Sequence, residues 1–331
     1  MSMRVAIVGA TGAVGQDLLA TLERRRFPVA SLRLLASPRS AGQRLRFCGE
    51  EIEVEVLAEN SFEGIELALF SAGGSISEKF APVAVRSGAV VVDNSSAFRM
   101  DPDVPLVVPE INAHAIGSHH GILANPNCST IILVMALAPL HAVAGLERVI
   151  VSTYQAASGA GKRAMEELLE STRAALAGEE YERRVLPHPL AFDLYPQVDV
   201  FMPSAYTREE DKMVYETRKI LELPNLPVEA TCVRVPVLRC HSEAVSVGLR
   251  EAIEPDAARV ALAKFPGVEV LDDPAAQLFP RPGSLSGKDE VVVGRVRPSR
   301  AFDRGLAFWV VGDQLLKGAA LNTVQIAEHL V

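Results

Sequence analysis

Aromatic residues make up only 5% of the 331-residue sequence, which also lacks a lysine/arginine block and carries a formal net charge of −8. Nucleic-acid binding is excluded on that ground, because a phosphate backbone is held by a basic patch. The four cysteines, Cys48, Cys128, Cys232 and Cys240, contain no Cys-x-x-Cys pair. That spread argues against a disulfide framework and for a reducing compartment. No apolar run is long enough to span a bilayer comfortably. The longest, Ile131 to Ala144, is interrupted by Pro139 and His141. The opening "MSMRVAIVGATG" passes directly into a strand pattern, without a signal peptide. Internal repeats, low-complexity segments and an obvious linker are also missing. These absences together predict a soluble, cytoplasmic protein with no nucleic-acid or membrane partner.

What is present is a hydrophobic content of 49%, enough for a sizeable core in two domains or one large α/β unit. Up to about Ala124, short β-branched runs ("RVAIVG", "LRLLAS", "ELALFSAGG", "AVVVDNSS", "GILANP") alternate with helical patterns such as Gly15–Arg25 and Ser77–Ser87. This alternation predicts a parallel sheet covered on both faces. Beyond it, helices become sparser. "LERVIVSTYQAASG" reads as a strand and loop, Lys162–Ala177 as a helix, and Pro187–Pro203 as irregular. A helix near Glu209–Leu221 and strand-like runs at Val228–Ala252 and Glu290–Val296 follow. A mixed or antiparallel sheet in a second domain is expected. The last segment, Gln314–Leu330, reads as one amphipathic helix able to return to the first domain.

"VAIVGATGAVG" places Gly9, Gly12 and Gly15 between the first strand and the first helix. Glycines there let the backbone turn tightly and approach a pyrophosphate at a helix N-terminus, the Rossmann arrangement. The second strand ends in "ASPRSAG", with Ser37, Arg39 and Ser40 and no acid to hold a ribose 2′-hydroxyl. An arginine with two hydroxyls suits a 2′-phosphate instead, so NADP is the expected cofactor.

"NPNCSTII" sets Cys128 after a proline turn, at the entrance of an apolar run rather than inside it. A helix beginning there would bring its positive dipole end to the sulfur and free N–H groups to a developing oxyanion. Cys48, Cys232 and Cys240 lie in strand-like runs and are expected to be inert packing residues. A cysteine nucleophile needs a base. His241 interrupts an apolar strand pattern seven residues after Arg234. His114, His119 and His120 lack an acidic or cysteine partner at metal-binding spacing, so no metal site is expected. Arg99 and Gln155 fall in loops after strands, and "TREEDKM" puts Glu209 and Lys212 on one face of a helix start. Arg99, Lys212 and Arg234 suit anionic groups.

From end to end, "GATGAVG", "ASPRSAG", "FSAGGSIS", "DNSSAFRMD", "VPEIN", "NPNCSTI", "STYQAASGAG", "YTREEDKM", "RVPVLRCHS" and "GAALNTVQIAE" make the chain resemble the bacterial aspartate-β-semialdehyde dehydrogenase family. The resemblance implies an α/β fold with an N-terminal Rossmann-type domain formed by residues 1–126 with 312–331. An α+β catalytic and dimerisation domain, residues 127–311, would carry a mixed, largely antiparallel sheet. It implies reversible, NADP-dependent conversion of L-aspartate-4-semialdehyde and phosphate to L-4-aspartyl phosphate, within amino-acid biosynthesis. Cys128 would be the nucleophile, His241 the general acid/base and Gln155 an orienting residue. Arg234 and Glu209 would bind the substrate's carboxylate and amino groups, and Arg99 and Lys212, with Asn127, its phosphate. Gly9, Thr11, Gly12, Ala13, Val14, Ser37, Arg39, Ser40, Ser71, Ser158, Gly159 and Asn322 would line the NADP site. The assembly implied is a homodimer or a dimer of dimers. One departure is that Arg239 and Cys240 precede His241, where many members have a small residue, often glycine, just before the histidine. The rivals are an N-acetyl-glutamyl-phosphate reductase, a thiol hydrolase and a non-catalytic NADP-binding module. The glycine loop and Arg39 count against the hydrolase. The set Cys128, Gln155, Arg234 and His241 counts against the module.

Overall fold

The structure is a computed structural model that describes residues 2–331. It divides into two units, residues 2–127 with 319–331 and residues 128–318.

The first unit opens with β1 (Met3–Val8), α1 (Ala13–Arg24), β2 (Val29–Ala36), β3 (Arg44–Phe47) and β4 (Glu50–Val56). It continues with β5 (Leu67–Phe70), α2 (Gly74–Arg86), β6 (Val90–Asp93), α3 (Pro109–Asn112) and β7 (Ile122–Ala124). Its sheet has the order β3-β4-β2-β1-β5-β6-β7, parallel except for the β3–β4 hairpin. Side chains alternate across a strand, and here both faces are apolar. Val5 and Ile7 of β1 join one core cluster, Ala6 and Val8 the other. The expected parallel sheet covered on both faces is observed. The β3–β4 hairpin is not an expected element, because its alternating glutamates hide a strand as a charged stretch.

That hairpin also corrects the reading of Cys48. It is not a buried strand residue but an exposed one. Cys48 and Gly49, with φ of +49° and +87°, form the two-residue turn. Two positive φ values match the primed turns that close a twisted hairpin.

The second unit contains α4 (Cys128–Ala144), β8 (Leu146–Gln155), α5 (Lys162–Ala177), α6 (Arg208–Ile220), β9 (Val228–Arg234) and β10 (His241–Leu249). After these come α7 (Pro255–Ala263), β11 (Val268–Val270), α8 (Pro282–Leu285), β12 (Val291–Pro298) and β13 (Gly305–Gly312). The sheet order is β11-β12-β13-β10-β8-β9, antiparallel in its centre and parallel at its two outer pairs. The mixed sheet is as expected. The run Val228–Ala252 is two strands rather than one. Pro236 lacks a ladder donor, and Cys240 adopts a left-handed φ of +74°. α4 lies on β8, β10, β12 and β13, α6 on β9, and α7 on β11 and β12. No described helix is long and apolar enough to cross a membrane.

The C-terminal segment departs from a single helix. Asp313 O accepts N–H groups from Leu316 and Gly318 at 3.1 and 3.2 Å, the latter five residues on. The chain therefore makes one wide π turn over Leu316–Ala320 before α9 (Leu321–Glu328) begins. α9 is not amphipathic in its first half, since Leu321, Asn322, Thr323 and Val324 are all buried. It packs against α1, α3 and β6 within the first unit.

Candidate active site

The second unit gathers five of the expected residues at the ends of its elements. β8 and β9 run parallel with Gln155 paired to Arg234, their last residues. β10 runs antiparallel to β8, so its first residue, His241, begins where β8 ends. Thr207 caps α6. Its Oγ1 accepts the Glu210 N–H at 3.3 Å, and Glu210 accepts the Thr207 N–H at 2.6 Å. Glu210 also takes the Cys232 N–H at 2.9 Å, which seats the helix start against β9. Glu209 and Lys212 thereby share one face, as the spacing predicts.

The side chains form a connected set. Gln155 Nε2 donates to Glu209 at 3.2 Å, and Lys212 Nζ donates to Glu209 at 3.1 Å and to Asp199 at 2.8 Å. Burial works against the Lys212 charge, but the two carboxylates outweigh it and hold its pKa above the ordinary lysine range. Asp199 was not expected from sequence. Burial raises its carboxyl, and the bond and charge of Lys212 outweigh that and lower it.

Ala156 holds two other members through its backbone. Its carbonyl accepts Arg234 Nη1 at 2.7 Å, and its N–H donates to His241 Nδ1 at 3.1 Å. An occupied Nδ1 acceptor leaves the hydrogen of a neutral imidazole on Nε2. His241 is fully buried, and its Nε2 has no hydrogen-bond partner among the described residues. Burial, then the nearby Arg234 charge, push its pKa well below the usual histidine value, against a smaller upward effect of the Cys240 backbone. Gly159 explains its own identity. A Cβ there would lie 2.9 Å from Arg234 Nη1 and 3.1 Å from His241 Nε2.

Cys128 is the first residue of α4 and is half-buried. Gly318 packs directly on it, where a Cβ would come within 2.9 Å of Cys128 Cβ. Two residues that sequence reasoning missed organise this corner. Gln314 accepts the Cys240 N–H at 2.9 Å and donates to Ser158 Oγ. The buried Asp313 carboxylate takes Arg239 Nε at 2.6 Å and the Gly287 N–H at 2.7 Å. The only local signal was a polar pair, Asp313-Gln314, closing an apolar strand.

In the first unit the glycine turn is in place. Gly9 has φ +88°, and a Cβ on it would sit 2.9 Å from the Ser71 carbonyl carbon and oxygen. Gly12 precedes α1, and Gly15 lets the helix approach the Gly9 carbonyl, where a Cβ would lie at 2.3 Å. Thr11, Gly12, Ser37, Ser71 and Gly9 line a cavity of about 390 Å³ together with apolar residues such as Leu57 and Ile76. Thr11 Oγ1 and Ser40 Oγ are bonded at 3.2 Å, and Arg39 is exposed. Ala13 and Val14 open α1. A strand–glycine turn–helix with a cavity beside it fits a dinucleotide. Arg99 is buried and donates to the carbonyls of Asn125 at 2.9 Å and Asn94 at 2.8 Å. Asn127 is buried at the end of the unit. Asn322 is not among the cavity residues named. Its amide donates to Val107 O at 2.9 Å and Asn125 Oδ1 at 2.7 Å.

Comparison with known proteins places this geometry. Residues 4–119 match the family model "Semialdehyde dehydrogenase, NAD binding domain", and residues 137–317 the "Semialdehyde dehydrogenase, dimerisation domain". The aspartate-semialdehyde dehydrogenase of Aquifex aeolicus is 53% identical over 100% of this chain and 98% of its own length. That of Bacillus subtilis is 50% identical over 99% and 97%. The chain belongs to the aspartate-semialdehyde dehydrogenase family. Among solved structures, aspartate semialdehyde dehydrogenase II from Vibrio cholerae, complexed with ASA, has a TM-score of 0.97 at 46% identity, covering 100% of this chain and 98% of that one.

The departure from the family's pattern before His241 now has a physical reason. Cys240 occupies a left-handed backbone conformation, φ +74°, which glycine adopts without strain. Here the conformation is held by the Gln314 bond to its N–H. The thiol packs with Leu285, Val292 and Val311, and burial pushes its pKa to about 12. Cys240 and the buried Cys232 are packing residues, as expected.

Proposed function

We propose that this protein is an NADP-dependent aspartate-semialdehyde dehydrogenase that reversibly reduces L-4-aspartyl phosphate to L-aspartate-4-semialdehyde. The product feeds lysine, threonine, methionine and isoleucine biosynthesis in the cytoplasm. The observation that carries the reading is that one unit holds both Cys128, at a helix start, and a neutral His241 whose hydrogen is on Nε2.

The Cys128 thiolate attacks the acyl phosphate, a C–S bond forms, the C–O bond to phosphate breaks, and a thioester remains on the sulfur. A bound nicotinamide cofactor would supply the hydride that reduces this thioester. His241 meets the acyl oxygen through its Nε2 hydrogen, stabilises the charge there and is the acid/base group for any proton exchanged. The C–S bond then breaks, releasing the aldehyde and restoring the thiolate. The α4 N-terminus favours the anionic sulfur. Sulfur keeps the acyl group activated for either partner, whereas a serine ester would be less reactive.

Arg234 is assigned to the substrate carboxylate, Glu209 to its amino group and Gln155 to orientation. Lys212 is assigned to phosphate, and so is Arg99 in its own unit, with Asn127. Ser37, Arg39 and Ser40 are assigned to the 2′-phosphate of NADP. A homodimer is proposed through the sheet face away from α4, where Leu285 of the short α8 packs on Val292 and Val311. Ile150, Ser152, Tyr154, Ala244, Ser246 and Trp309 share that face by register, with the Tyr154 and Trp309 rings 5.3 Å apart.

The test is NADPH formation from L-aspartate-4-semialdehyde, with and without phosphate, by wild type and Cys128→Ala. Phosphate-dependent reduction that vanishes in the variant is expected. Activity only with the N-acetyl-glutamate aldehyde would overturn the substrate, and phosphate-independent oxidation would overturn the acyl-phosphate chemistry.

A further inference from the structure

Tyr195 lies in the irregular segment before α6, which the assigned chemistry does not use. It forms an isolated antiparallel bridge with Arg234. Tyr195 N–H donates to Arg234 O at 3.2 Å, and Arg234 N–H donates to Tyr195 O at 2.9 Å. Directly opposed residues of an antiparallel pair project their side chains to the same face. The phenol is thus carried beside the guanidinium by the backbone itself. Its ring is fixed by Leu168, Leu186 and Leu190 and by the edge of His188, 5.2 Å away between centroids. The residue is only 7% exposed, yet its hydroxyl has no hydrogen-bond partner among the described residues. Burial raises the phenol pKa, and the charge of Arg234 and its side-chain approach to the phenol oxygen oppose the rise; arginine can only donate, so the hydroxyl hydrogen is left without an acceptor.

A buried hydroxyl without a partner costs stability, and native structures hold few. The other orphan beside Arg234 is His241 Nε2, the atom assigned to meet the substrate. Two unpaired polar atoms flanking one buried arginine are explained together if a ligand satisfies both. We propose that the Tyr195 hydroxyl donates a hydrogen bond to the carboxylate that Arg234 binds, which makes Tyr195 a substrate-specificity residue. The inference rests on the assignment of Arg234 to a substrate carboxylate. Arginine supplies charge and a planar fork, and the phenol adds a third donor from the side of the α5 cluster. A substrate lacking the carboxylate would leave that donor buried and unpaired, which is how a site discriminates against it.

The experiment is Tyr195→Phe, which removes only the hydroxyl and keeps the packed ring. The KM for L-aspartate-4-semialdehyde is expected to rise about tenfold, the size of one hydrogen bond to a charged acceptor. The kcat and the KM values for phosphate and NADP should stay within about twofold. The melting temperature should change little, because the hydroxyl hydrogen has no acceptor in the free protein. An unchanged aldehyde KM, a uniform loss across all three substrates, or a lower melting temperature would overturn the proposal. Calorimetric binding of L-2-aminobutyrate, which keeps the amino and carboxylate groups without the aldehyde, separates this from the functional reading. If wild type turns over no aldehyde, that reading fails. The tyrosine is still decided by whether the phenylalanine variant binds this probe about tenfold more weakly or equally well.

Discussion

The two units prepare their sites by opposite means. In the first, the turn between β1 and α1 is shaped by backbone: Gly9 at φ +88°, Gly12 at the helix start, Gly15 against the Gly9 carbonyl. In the second, the ends of β8, β9 and β10 carry buried polar side chains, Gln155, Arg234 and His241. Their partners are remote in the chain. His241 is 85 residues from the Ala156 N–H it accepts, and Gln314 is 156 residues from Ser158. A backbone site is a local object of a few residues. A side-chain site exists only once the sheet is assembled.

The sharpest way to break this contrast is to remove a side chain from the second unit and ask whether the first notices. His241→Ala should lower kcat about a thousandfold while leaving NADPH affinity, followed by fluorescence titration, unchanged. Burial and Arg234 keep the histidine neutral, so wild-type kcat should show no acid limb near the ordinary value of about 6.5. A limb at that pH would mean that His241 is solvated.

The converse change is Gly9→Ala. A Cβ at 2.9 Å from the Ser71 carbonyl, on a left-handed residue, should cost about 2–3 kcal/mol in chemical denaturation. Cofactor affinity should fall with it, whereas alkylation of Cys128 in the second unit should keep its rate. Coupled losses would erase the distinction between the units.

A smaller effect is expected where the first unit does use a side chain. Arg39→Ala should reduce the preference for NADP over NAD about tenfold in kcat/KM, with kcat little changed. Unaltered preference would transfer the 2′-phosphate to the backbone turn.

The smallest effect tests what buried polarity costs. Glu243 is fully buried on β10, two residues from His241, with neither carboxylate oxygen hydrogen-bonded among the described residues. Burial raises its pKa well above the usual glutamate value. Below about pH 4.3 the group is neutral in folded and unfolded chains alike. As pH rises, the unfolded chain ionises first, so stability drains away until the folded pKa is passed. Glu243→Gln should therefore match wild type near pH 4 and exceed it by about 1 kcal/mol at pH 7. A lower melting point at pH 7 would show that the carboxyl has a partner after all.

The same local-versus-remote contrast decides what was legible in the sequence. Strand order aside, the first unit could be read from glycine spacing and β-branched runs, because both report short-range geometry. The entrance of α4 at Cys128 and the shared face of Glu209 and Lys212 were readable for the same reason. Gln314 and Asp313 were not, since nothing near them in sequence shows that they hold Ser158, Cys240 and Arg239. Cys48 was misread because a two-residue turn can hide inside a strand-like composition.

One feature of the first unit bears on how the chain is made. α9, at Leu321–Glu328, closes the core that α1 and the parallel strands begin, through Val324, Ile326 and Ala327. Synthesis from the N-terminus delivers every strand of that unit early and its last helix only after the whole second unit has left the ribosome. The first unit therefore keeps an apolar face uncovered until its last helix has been made. The unit begun first cannot be completed before the residues of the second have been made.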